Sequence, residues 1–105
     1  MMSSLFAIAL LSVPSAASQP RQAFSECLIK YVRASAEKKL AADQFDASLA
    51  TACSTEEEAF RKSVITSDVA RGISRKTSEQ GVAEEISDYM TDAKERYRGE
   101  IDNPR

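Results

Sequence analysis

The chain contains no histidine and no tryptophan, only three glycines, three prolines and two cysteines in 105 residues. Without histidine there is no Ser-His-Asp or Cys-His nucleophile arrangement, and no side chain that moves protons readily near neutral pH. A structural zinc site needs about four soft ligands, and two cysteines stop short of that. The glycines are too few and too scattered for a phosphate-cradling loop, and no acidic spacing of the EF-hand type occurs. Redox catalysis generally uses a close C-x-x-C pair, whereas 25 residues separate Cys27 from Cys53. These absences predict a protein that is not an enzyme, with no catalytic residue, no metal site and no cofactor.

Charge of one sign is also lacking. Fourteen basic side chains face 16 acidic ones, a net charge of −2. Phosphate neutralisation needs a net basic surface, so nucleic acid is not expected as a partner. The 43% apolar content with few glycines and prolines is that of a folded chain.

The amino-terminal stretch MMSSLFAIALLSVPSAAS has the layout of a secretory signal peptide: a nine-residue run from Leu5 to Val13, apolar except for Ser12, then Pro14 and small residues. About 20 residues are needed to cross a bilayer as a helix, so stable membrane insertion after cleavage is not expected. Small residues permit cleavage after Ala17 or Ser18. The expected organisation is a signal peptide over 1–18, one helical domain over 19–99 and a flexible tail over 100–105. Cleavage after Ser18 leaves 105 − 18 = 87 residues, and domains of that size often need a covalent staple. Size and signal style favour the bacterial periplasm over eukaryotic secretion.

Apolar residues recur at helical spacing in three segments, and no alternating strand pattern of useful length occurs. Phe24, Cys27, Leu28, Tyr31, Val32 and Ser35 form one stripe, predicting a first helix over about Arg21–Lys39 with Pro20 ahead of it. Asp43 is a candidate N-cap for a second helix carrying Phe45, Leu49, Cys53, Phe60 and Val64 and ending near Arg71, with Gly72 as a left-handed stop. Ser54 with Glu57, or Thr55 with Glu58, would also suit a new helix start just after Cys53. The flanking "SLATAC" and "EEEAFRK" lack glycine and proline, which favours one continuous helix. Thr77 and Gln80 are spaced to cap a third helix with the stripe Val82, Ile86, Tyr89, Met90, Ala93 and Tyr97, ending near Arg98 before Gly99.

Two cysteines behind an export signal predict a disulfide. Their midpoint, residue 40, coincides with the break between the first two helices, so an antiparallel hairpin turning there brings them level. The expectation is an all-α, three-helix antiparallel arrangement: a disulfide-linked hairpin plus a third helix. Glu56-Glu57-Glu58 is expected to be a solvated face pairing forward with Arg61 and Lys62, and the stripe aromatics to be core.

Ile65, Val69 and Ile73 lie off the Phe60–Val64 line and widen the apolar face, leaving a strip for a partner unless the third helix covers it. Beside them the "ARGISRKTS" turn gathers Arg71, Arg75 and Lys76, candidates for an anion or acidic partner. The expected function is a small exported helical module that binds an unknown protein partner or forms a homo-oligomer in the cell envelope. Two alternatives are an acid-stress chaperone, since acid would turn this nearly neutral chain strongly cationic, and a small enzyme inhibitor presenting that turn.

Overall fold

A computed structural model describes residues 18–103 of the chain. The expected signal segment before Ser18 and the tail residues Pro104 and Arg105 lie outside the described residues. The described residues form α1 (Ser18–Glu37), α2 (Ala42–Ala52), α3 (Ser54–Ala70) and α4 (Arg75–Asp102), with no strand among them. The all-α expectation therefore holds, and the three-helix count is corrected to four.

The expected second helix divides at Cys53, whose backbone leaves the helical region at φ −122° and ψ 32°. The helix-start patterns at Ser54 and Thr55 allow for this break, while the good helix formers on both sides favour continuity. The bond to Cys27 holds the two Cα atoms 6.0 Å apart, a separation that facing positions on helices packed about 10 Å apart supply without distortion. The departure is confined to that one residue, whose N–H turns to the Thr51 carbonyl. No side chain caps α3, so neither of the two capping boxes considered for its start is formed.

Both turns between antiparallel helices close by the same hydrogen-bond pattern. After α1, the Leu40 N–H donates to the Ser35 carbonyl at 3.1 Å and the Lys39 N–H to that of Ala36 at 3.1 Å. After α3, the Ile73 N–H donates to the Asp68 carbonyl and the Gly72 N–H to that of Val69, each at 3.0 Å. Such a closure needs one residue in the left-handed region. Gly72 fills that place at φ 92°, as expected, whereas the first turn puts a lysine there, Lys39 at φ 57°.

The caps differ from expectation in detail. Ala41, not Asp43, stands at the N-cap of α2, and the Ala41 N–H donates to Gln44 Oε1 at 3.4 Å. Asp43 sits in the first turn, where a carboxylate still suits the helix dipole. For α4 the cap is Ser74, three residues earlier than Thr77, and its Oγ accepts from the Thr77 N–H at 3.1 Å. At the other end α4 continues through Gly99 to Asp102, so the expected stop at Gly99 is absent.

The chain runs up α1, down α2 and α3, and up α4, so α1 and α4 are parallel. Their register is fixed by Arg21 reaching Glu85, the Phe24 ring meeting Tyr89 at 5.5 Å, and the Tyr97 hydroxyl donating to the Ser35 carbonyl at 3.3 Å. α3 packs on both α1 and α4, while α2 leans mainly on α4. Two aromatic groups fill the core. Phe24, Phe60 and Tyr89 form one; Tyr31, Phe45 and Tyr97 form the other, with Phe45 stacked on Tyr97 at 4.1 Å. Stacked pairs add about 0.5–1.5 kcal/mol each beyond the burial of their surface. The aromatics expected in the core are there: Phe24, Phe45, Phe60 and Tyr97 are buried, and Tyr31 and Tyr89 pack against them half-buried.

Candidate functional site

Cys27 and Cys53 are joined as a disulfide. Cys53 is buried and Cys27 half-buried, and the pair bridges α1 to the junction of α2 and α3, between the two aromatic groups. Glu56 brings a carboxylate oxygen close, the three potential donor atoms lying within 4.8 Å of one another. Sulfurs bonded to each other present no thiolate, and one carboxylate is a poor metal site. The geometry is that of a covalent strut.

The other predicted site residues gather where α3 turns into α4. Because Arg21 is level with Glu85 and Phe24 with Tyr89, a register offset of about 64, Ser18 is level with Val82. The α4 residues 75–81 and the end of α3 therefore extend beyond the described part of α1, by about 10 Å at 1.5 Å per residue. Just inside this end, about level with the start of α1, Ile65 turns inward and is only 8% exposed, so it belongs to the core and offers no surface. Val69 and Ile73 remain open, at 40% and 37%, and with Ile101 at the far end they are the large exposed hydrophobics among the described residues.

Polar groups hold the free end in shape. The Asp68 carboxylate accepts from the Arg71 guanidinium at 2.7 Å and from the buried Ser78 hydroxyl at 2.9 Å, tying α3 to the first turns of α4. The Arg71 hydrogen bond first, and that of Ser78 second, hold its pKa below the usual carboxylate value. Arg75 and Lys76 are exposed and form no ion pair among the described residues. They occupy the first turn of α4, which holds no acid. The positive end of the helix dipole disfavours cations there, and that mild electrostatic cost serves no contact within the fold.

Sequence spacing found the local ion pairs Glu57–Arg61 and Asp92–Arg96, each at 2.8 Å. It missed the long-range ones, which depend on register. Arg21 bonds Glu85 at 3.0 Å and lies 4.9 Å over the Phe60 ring, and Arg98 meets Asp46 at 2.9 Å. The Glu85 hydrogen bond raises the Arg21 pKa. Glu85 is thus engaged in a structural pair. A shallow groove between α1 and α4, lined by Ile29, Val32, Arg33, Arg96, Gly99 and Glu100, holds no grouping of acid, base and nucleophile.

No helix among the described residues is long and apolar enough to cross a membrane. No protein-family model, curated protein or solved structure matches the chain.

Proposed function

We propose that this chain is a small exported helical module that acts by contact rather than catalysis, binding a protein partner or a second copy of itself in the envelope, more specifically the bacterial periplasm. The observation that carries this reading is the free α3–α4 end. There Val69 and Ile73 stay open beside Arg71, Arg75 and Lys76, whereas the other large apolar side chains among the described residues are mostly packed inward. The disulfide suits an oxidising compartment and stiffens the scaffold that presents this end.

A photo-crosslinking residue at position 73, compared with one at exposed Glu95 on α4, tests the reading. Specific adducts from position 73 with an envelope protein, or with a second copy, are expected. A strictly monomeric protein that yields the same background from both positions removes it.

A further inference from the structure

We infer that the free α3–α4 end docks peripherally on an anionic phospholipid surface. This goes beyond the protein-binding reading but uses the same end of the molecule. The ten residues from Val69 to Ser78 contain three cations and no acid, within a chain whose net charge is −2. The acid just before them, Asp68, is engaged by Arg71 and by Ser78. The charge of Arg75 and Lys76 is met by no carboxylate among the described residues. With Asp68 and Glu79 at its edges counted, this end carries 3 − 2 = +1 and the rest of the chain 11 − 14 = −3, so positive charge is unevenly distributed towards this end. An anionic surface attracts it end-on.

Shape favours a bilayer over an acidic protein. Ile73 stands in the turn itself, at the convex end of a helical hairpin, with Arg71 two residues before it and Arg75 two residues after. A bilayer deforms around a convex apex, so the aliphatic side chain and the cations on either side of it can engage together. An aliphatic side chain entering the headgroup boundary with flanking cations at the phosphates is the arrangement that interfacial binding uses. Ile73 and Val69 supply the apolar part, and the left-handed Gly72 lets the chain turn sharply enough to bring Ile73 to the apex. No spanning segment is needed.

The test is flotation of the purified protein, in the form the cell leaves it, with vesicles of phosphatidylcholine alone or mixed with phosphatidylglycerol. Binding to the mixed vesicles and not the neutral ones is expected, weakening as salt screens the cations. R75E/K76E should lower the partition about thirtyfold. I73D should also lower it, while K38E/K94E, the same change in net charge elsewhere, should leave it within about twofold. Unchanged helicity by circular dichroism shows that each variant remains folded. Equal loss in the two charge-reversal variants, or no binding to mixed vesicles, overturns the inference. If vesicle binding is absent while position 73 still crosslinks an acidic protein, the partner is that protein and the contact reading survives. If both vesicle binding and crosslinking fail, both fall.

Discussion

The Tyr97 hydroxyl donates to the backbone carbonyl of Leu40, 57 residues away, so a side chain late in α4 closes the turn that follows α1. The same hydroxyl also reaches the Ser35 carbonyl, and its ring stacks on Phe45. Tyr97→Phe keeps the stack and removes the donor, which should cost about 1–2 kcal/mol in denaturant unfolding. Burial, and then the neighbouring Tyr31, raise the Tyr97 pKa above its ordinary 10.0. The folded state thus favours the neutral phenol. Its contribution is complete below the ordinary value and is lost as pH rises through the raised one. The alkaline limb of a stability–pH curve should be shallower in the phenylalanine variant.

Reducing the disulfide, or replacing both cysteines with serine, frees a loop with a sequence separation of 26. Loop-closure entropy predicts a loss of about 3 kcal/mol, a large share for a domain of this size. A thermal melt with and without a thiol reductant measures it. An unchanged melting temperature would mean that the bond adds nothing to a fold already set by the two aromatic groups.

Lys39 holds a left-handed backbone position that glycine occupies in the other turn. A side chain there costs about 1 kcal/mol or somewhat more, offset in part by the greater chain entropy of unfolded glycine. Lys39→Gly should therefore stabilise the protein by about 0.5–1 kcal/mol, and Lys39→Val should destabilise it. Both effects are readable as shifts in the urea midpoint.

Asp68 governs the acid side. Its pKa is lowered in the folded state by Arg71 and Ser78, so its contribution is present above the ordinary carboxylate value of 3.8 and fades as pH falls through the depressed one. Asp68→Asn should weaken the protein near neutral pH and leave a smaller further loss on acidification to about pH 3. A variant that loses as much on acidification as the natural protein would show that other carboxylates dominate.

Much of this architecture was legible because two independent signals agreed. Helical spacing in the apolar residues excluded strands, and the midpoint of Cys27 and Cys53 fell at the break signals near Leu40, where the turn is found. The division at Cys53 was only half legible, because the helix-start patterns at Ser54 and Thr55 competed with good helix formers on both sides and local propensity favoured continuity. The Ser74 cap was missed for a different reason. Thr77 and Gln80 match a capping pattern equally well, and only the turn closed by Ile73 on Asp68 decides between them.

The candidate surface divides in the same way. Spacing placed Val69, Ile73, Arg71, Arg75 and Lys76 on one stretch, and the structure puts that stretch at the end that extends beyond the described part of α1. Ile65 looked equivalent in sequence but lies about level with the start of α1, where neighbouring helices cover it. Asp68 and Ser78 gave no signal, because their link spans a turn whose geometry had first to be known.

The parallel course of α1 and α4 also decides how the molecule would be held. α4 has 28 residues, about 42 Å at 1.5 Å per residue, and spans the bundle from the cationic hairpin to the turn after α1. A tether joined beyond Asn103 would stand the molecule upright, its hairpin facing away from the support. One joined at Ser18 itself would leave the hairpin only about 10 Å beyond the attachment point. The choice of immobilisation site is therefore itself a control on whether that hairpin can reach what it binds.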